Sequence, residues 1–266
     1  MVGRSSYALD TSFWTVVSIS ATKNLWHRGS FLMKKYDEGT QVKHIRSYDR
    51  SQCIVFHKTK EEFGGLSNMA AGFPLCVNGV NIRTSEALYQ ICRFPHLPEI
   101  QRKIVNEKSP MTAKMVSKPY RNQTRLDWDD IRVGVMRWCL RVKLAQNWNE
   151  FTRVILSTKD LPIVEFSRKD PFWGAKAERN GEVLVGMNVL GRLLMELRQE
   201  VLSKPKSELL QVEPMSINDF LIFGEQIQII KVVDKEALSY KIVPRPPIEN
   251  MSPPTTTGTW LSLFPA

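Results

Sequence analysis

Apolar and polar positions change period several times along this chain, and each change marks an element. Leu190, Leu193, Leu194, Leu197 and Val201 recur at spacings of three and four, the stripe of a core-facing helix, and Pro205 stops it. The same reading places a long helix from about Asp129 to Gln146, with Ile131, Val135, Met136, Cys139, Leu140 and Leu144 inward. Shorter helices are expected over 148–156, with Phe151, Val154 and Ile155 inward, and over 98–106, with Ile100, Ile104 and Val105 inward. Another opens at Ser109-Pro110. A helix from Thr84 to Phe94 has Thr84 or Ser85 as its cap and ends at Pro95. Helical spacing puts its Glu86, Tyr89, Gln90 and Arg93 on one face and Leu88, Ile91 and Cys92 on the other.

Strand patterns are shorter. Cys53–Phe56 and Leu161–Phe166 read as strands. Phe73–Val77 and Val80–Arg83 flank Asn78-Gly79, a hairpin signal because both residues tolerate positive φ. Beyond Lys206, the segments 220–223, 226–233 and 238–243 are expected to form a small β-meander, followed from Pro244 by a Pro- and Thr-rich tail. Residues 1–50 show no clean period and read as an irregular extension.

Composition narrows the function classes. At 266 residues the chain accommodates one full domain with extensions. Its apolar runs, such as 220–223, are far too short to span a bilayer. Phe13–Val17 lacks the flanks of a signal peptide, so a cytoplasmic protein with no membrane partner is expected. Cys53, Cys76, Cys92 and Cys139 form no C-x-x-C pair, and the four histidines are scattered. Reduced thiols, no metal and no cofactor follow as expectations.

The formal charge is +10, and its placement adds information. Residues 51–202 carry 23 Lys and Arg against 16 Asp and Glu, whereas 203–266 carry 6 against 7. A basic body attracts phosphate, in nucleic acid or in a nucleotide, although basic surfaces also serve solubility alone.

The candidate chemistry gathers in a few stretches. Ser167–Gly174, SRKDPFWG, places a carboxylate, a proline, two aromatics and a glycine directly after a strand. Asp170 there is either a turn aspartate before Pro171 or a group that binds ribose hydroxyls. Trp173 and Trp128 offer flat faces for a base, with core packing as the alternative use of each. Gly186, Asn188 and Gly191 open the last helix, where free backbone N–H groups could hold an anion; close packing is the other reading of Gly191. Ser67 and Asn68 follow Gly64-Gly65 and could bond sugar or phosphate or simply cap the turn. Glu86 taken alone is an ordinary first-turn glutamate. Arg83, Arg121, Arg125 and Lys176 are candidate phosphate partners.

These stretches stand in a recognisable order. Phe63-Gly64-Gly65-Leu66-Ser67-Asn68, Thr84-Ser85-Glu86-x-x-Tyr89-Gln90, Ser109-Pro110-Met111, Asp127-Trp128, Met136 to Lys143, Asp170-x-x-Trp173-Gly174 and Gly186-x-Asn188-x-Leu190-Gly191 resemble the YbiA-like, or NADAR, family over about residues 52–202. The resemblance implies a compact, mostly helical α+β domain with a small β-sheet over 51–203, flanked by extensions 1–50 and 204–266. It implies metal-independent cleavage of a ribose C1′–N bond, with Glu86 and Asp170 catalytic. Phe56, Ser67, Asn68, Tyr89, Trp128, Trp173, Gly174 and Asn188 are the substrate-binding candidates.

Two substrates are known in that family: ADP-ribosylated guanine in nucleic acid, and ribosylamine intermediates of riboflavin synthesis. The basic body favours the first, with ADP-ribosylated nucleic acid as partner and a cognate toxin as a second partner acting through that substrate. One departure stands out. The family usually has His after the motif glutamate, and this chain has Ala87. A non-catalytic ADP-ribose-binding module is therefore the third reading.

Overall fold

The computed structural model describes residues 45–233. The segments 1–44 and 234–266 lie outside the described residues, and with them most of the N-terminal extension, the strand expected at 238–243 and the Pro-rich tail. The order of elements is β1 (Arg46–Asp49), β2 (Ile54–Phe56), β3 (Leu75–Val77), β4 (Val80–Ile82), α1 (Ser85–Ile91), α2 (Pro98–Asn106), α3 (Pro110–Ser117), α4 (Trp128–Gln146) and α5 (Trp148–Leu156). Then follow β5 (Ile163–Glu165), β6 (Lys176–Glu178), β7 (Val183–Gly186), α6 (Val189–Ser203), α7 (Lys206–Leu209), β8 (Gln211–Val212), β9 (Leu221–Ile222), β10 (Glu225–Gln226) and β11 (Ile230–Lys231). The unit is α+β, with helices dominating and strands in small separate sheets.

Local chemistry explains most boundaries. Thr84 Oγ1 accepts the amide N–H of Ala87 at 3.2 Å and starts α1. Ser109 Oγ accepts from the N–H groups of Met111 and Thr112 and starts α3, with Pro110 at its first position. Asn78 and Gly79 have φ of 50° and 75°, the two positive values that a tight β3–β4 hairpin requires. The core is built on α4, whose buried Val135, Met136, Cys139, Leu140 and Leu144 pack with Leu88 and Ile91 of α1, Phe151 of α5, and Leu193 and Leu194 of α6. Among the described residues no helix is long and apolar enough to cross a membrane.

Three sequence expectations need correction. The irregular stretch before residue 50 ends in β1, which pairs antiparallel with β7 because Tyr48 is buried with Val164, Ala175 and Leu184. β6 completes that sheet, and neither β6 nor β7 was anticipated. Among the described residues the expected meander is divided. β9 pairs with β10, but β11 crosses to β8, so the run 226–233 divides between two partners.

The segment after Pro205 is built into the core rather than appended. Phe220 meets Trp138 edge to face at 4.8 Å, and Trp138 Nε1 donates to the Glu213 carbonyl at 3.0 Å. Phe220, Ile222 and Ile227 are buried, each contributing about 1.5–3 kcal/mol. Gln101, fully buried, donates to the carbonyls of Ile91 and Leu221 and accepts from the Phe223 N–H, tying this segment to the end of α1.

Candidate active site

β2 and β5 run parallel with Phe56 opposite Glu165, and α1 begins directly after the β3–β4 hairpin. Between the outer face of α1, the end of β5, the 167–174 loop and the start of α4 lies a cavity of about 580 Å³. Its lining includes Asn68, Glu86, Tyr89, Trp128, Asp170 and Trp173, so six of the ten residues singled out from sequence meet in one place. All seven residues of α1 are buried, one face in the core and the other against this cavity.

Glu86 is 4% exposed and tightly held. Its Oε2 accepts a short hydrogen bond from Asn68 Nδ2, and its Oε1 accepts from Gln90 Nε2 at 2.9 Å. Ser117 Oγ donates to Gln90 Oε1 at 3.0 Å and fixes that amide in turn. Lys114 Nζ stands 4.0 Å from Glu86 Oε1. The Asn68 carbonyl accepts from the Glu86 N–H and the Ser85 hydroxyl, so the 64–68 loop and the start of α1 are locked together.

That loop has a buried anchor that sequence reading missed. Lys143 of α4 is 1% exposed, and its Nζ donates to the carbonyls of Gly65 at 2.6 Å and Ser67 at 3.0 Å. The rings of Phe73 and Phe151 lie 4.4 and 4.2 Å from it. Burial pushes this ammonium down to about 7. The missed signal was available: Met136, Cys139 and Lys143 share one helical stripe, and a lysine on a core stripe calls for acceptors.

Glu165 is the second residue that sequence reading missed. It ends β5, half-buried in the cavity wall. Burial first, then the nearby Glu86 and Asp170 carboxylates, push its carboxyl up to about 7, while Lys114 pulls it down. Asn188, just before α6, and Arg198 within it anchor β5 and the segment leading into it. Asn188 accepts from the Glu165 N–H at 3.0 Å and donates to the Ile163 carbonyl at 2.8 Å. Arg198 Nη1 donates to Thr158 Oγ1 and the Leu161 carbonyl at 2.8 and 2.9 Å.

The 167–174 loop is a rigid cap over this wall. Asp170 Oδ1 accepts the N–H groups of Phe172 and Trp173 at 2.9 and 3.1 Å, and Ser167 Oγ accepts that of Asp170. The N–H groups of Met187, Asn188, Val189 and Leu190 donate to the carbonyls of Pro171, Gly174, Phe172 and Trp173. This overturns the expectation that the start of α6 holds an anion, because its donors are already occupied by the loop.

Four candidates lie outside the cavity lining. Asn188 is fully buried as the β5 tether. Phe56 is a core residue. Ser67 is buried and its Oγ caps Met69 N–H. Gly174 sits where a Cβ would come within 2.5 Å of the Glu165 carbonyl, so close backbone approach accounts for it. Of the phosphate candidates, Arg121 and Arg125 line the cavity and Arg83 and Lys176 do not. Arg125 is buried in a bidentate pair with Asp127 and also donates to the carbonyls of Asn218 and Asp219.

The aromatic wall is continuous: the Tyr89 ring lies 4.9 Å from Trp128 and 5.6 Å from Trp173. The Arg93 guanidinium stands 4.8 Å over Trp128, so that face is not open to a base. Trp173, half-buried, has ring surface to offer. Burial holds the Tyr89 hydroxyl well above its usual range, so it is a neutral donor and acceptor. Arg93, Lys114, Arg121 and Arg132, with the Asp127-paired Arg125, put five cations into the lining beside the carboxylates. Among the described residues no group of three or more His, Cys, Asp or Glu side chains is placed to hold a metal ion.

Comparison with known proteins identifies the family. The NADAR domain family model matches residues 55–202. The chain is 32% identical over 162 residues to the N-glycosidase YbiA of Escherichia coli, covering 60% of this chain and 96% of that protein. It is 35% identical over 159 residues to a riboflavin biosynthesis protein of Vibrio vulnificus, covering 59% of this chain but only 41% of that protein. The solved NMR structure of E. coli YbiA is similar at 31% identity, covering 58% of this chain and 90% of that one, with a TM-score of 0.48.

Proposed function

The chain belongs to the NADAR domain family, and from that premise we propose that it is an N-glycosidase that hydrolyses a ribose C1′–N bond. The observation that carries the reading is a pair of carboxyl groups in one cavity with different settings. Glu86 is held by two amide donors and presents an acceptor. Glu165 is pushed up to about 7, so it carries a proton for a useful fraction of the time at neutral pH.

Cleavage of an N-glycosidic bond builds positive charge at C1′ and negative charge on the departing nitrogen. Glu86 faces the developing cation and takes a proton from the attacking water. Glu165 gives its proton to the leaving nitrogen as the C1′–N bond breaks. Water oxygen ends on C1′, the amine leaves neutral, and the two carboxyl groups exchange protons with solvent to reset. Asp170 positions the loop and raises the proton affinity of Glu165.

The substrate we propose is guanine carrying ADP-ribose in nucleic acid. The lining cations other than the Asp127-paired Arg125 suit a diphosphate, and the half-buried Trp173 suits a base. Position 87 favours an enzyme over a binding module. Ala87 is buried in the core cluster and does not line the cavity, so the chemistry does not run through the side chain that differs from the family pattern. A second reading is a phosphorylated ribosylamine of riboflavin synthesis, the pathway for which the Vibrio relative is named.

The test is release of ADP-ribose from a short DNA strand bearing ADP-ribosylated guanine, followed by gel mobility and mass spectrometry. The wild-type chain should restore the unmodified strand. Glu86→Gln should abolish turnover while leaving the affinity for ADP-ribose within a few-fold. Turnover surviving in that variant would falsify the site assignment; activity confined to ribosylamines would select the second reading.

A further inference from the structure

We propose that the outer face of α3 and the 3-10 turn Lys118–Gln123 is a docking surface for a single nucleic-acid strand, leading the modified base into the cavity. The inference rests on the reading above that the substrate base is presented in a strand.

Residues 102–125 contain seven Lys and Arg and a single acidic residue, Glu107. Of these cations, Arg125 is occupied by Asp127 and Lys114 stands near Glu86. Lys108, Lys118 and Arg121 are exposed and make no ion pair among the described residues. Lys103 Nζ donates to Tyr120 Oη at 3.0 Å, which joins the end of α2 to the 3-10 turn on this side.

The apolar groups of the same face are the second observation. On α3, Met111, Lys114, Met115 and the following Lys118 share one face by helical spacing, while Ala113 and Ser117 point into the core. Met111 is 57% and Met115 49% exposed, and Leu126 at the cavity rim is fully exposed. A face needed only for solubility would carry polar groups there. Alternating thioethers and ammonium groups suit a strand whose phosphates meet cations and whose bases lie against apolar groups.

Continuity fixes the direction. Lys114, Arg121 and Leu126 line the cavity, whereas Lys108 and Lys118 lie outside it. A small phosphorylated substrate confined to the cavity has no use for the outer cations. A polyanion running past the mouth does.

The experiment is fluorescence anisotropy of the full chain with a short, unmodified single-stranded DNA oligonucleotide across a salt series. Saturable binding that weakens with salt is expected. Lys108→Glu with Lys118→Glu should lower affinity about tenfold and reduce the log–log salt slope by roughly 1 to 1.5, at about 0.7 per phosphate contact. Met111→Ala with Met115→Ala should weaken the binding that persists at high salt. Neither double variant should change hydrolysis of a free ADP-ribosylated guanosine.

Absent binding at low salt, or equal affinity of wild type and the Lys108/Lys118 variant, would overturn the docking surface, even with the free nucleoside still cleaved. Displacement of the strand by polyglutamate at equal charge would also overturn it, in favour of an acidic protein segment. Strand binding that behaves as expected, with no ribosylated substrate ever cleaved, would sink the glycosidase reading and keep the surface.

Discussion

Glu165→Gln keeps the shape of the side chain and removes its ionisable group. In the folded protein this carboxyl is pushed up to about 7 from 4.5. Across that window the folded state holds a proton that the unfolded chain has released, so stability falls as pH rises. The favourable contribution is complete below about 4.5 and is gone once pH passes through about 7. Each pH unit of the gap corresponds to about 1.4 kcal/mol, which sets a ceiling of about 3 kcal/mol above pH 7. Water in the cavity screens part of this, leaving about 1–3 kcal/mol. The Gln variant carries no such penalty. For a chain of this size each kcal/mol moves Tm by about 2–4 °C.

Thermal unfolding of both proteins at pH 8 and pH 4.5 measures the difference. The variant should unfold several degrees higher than wild type at pH 8 and at about the same temperature at pH 4.5. Its hydrolysis rate should fall by about 10²–10⁴, the usual loss for a general acid. An equal Tm difference at both pH values, or an unchanged rate, would refute the argument that burial among carboxylates prepares Glu165 to give a proton.

Two further substitutions test how the site is held. Lys143→Met removes an ammonium from the core and leaves the Gly65 and Ser67 carbonyls without their donor. The unmet carbonyls cost about 1–3 kcal/mol each, but the cost of burying a charge disappears as well. Tm should therefore move by only a few degrees while kcat falls at least tenfold with the loss of Asn68 placement; an unchanged kcat would remove Lys143 from the positioning role. Gly191→Ala in an ordinary helix would stabilise by about 1 kcal/mol. Here the new Cβ would lie 2.1 Å from the Ile163 carbonyl, so urea unfolding should show a loss of about 1–3 kcal/mol, and a gain would contradict the packing of α6 on β5.

What could be read from sequence was whatever local chemistry determines. Thr84 and Ser109 announce their helices by capping them, Asn78-Gly79 sets its hairpin, and the leucines of α6 declare a face. Glu86, Asn68, Tyr89, Trp128, Asp170 and Trp173 converge as the ordered motifs imply. The failures share a cause. β1 and β7 are four residues each, and β1 pairs only with β7, more than a hundred residues away, while β7 also pairs with β6. β8 and β11 are two residues each, below any period that a pattern can show.

The same distinction separates Glu86 from Glu165. Glu86 begins a capped helix, where alone it reads as an ordinary first-turn glutamate, and the ordered motif around it marks it. Glu165 reads as a lone polar residue closing an apolar strand, with nothing nearby in sequence to mark it. Its chemistry comes from groups brought together by the fold: Glu86 from α1, Asp170 across the loop, and Asn188 gripping its backbone from just before α6. Asn188 was expected to touch substrate because it opens a helix between glycines. The fold uses it instead to fix the strand that carries the acid, so a substitution there should act through Glu165. The two residues belong to one device: a buried amide sets the backbone, and the backbone sets the carboxyl.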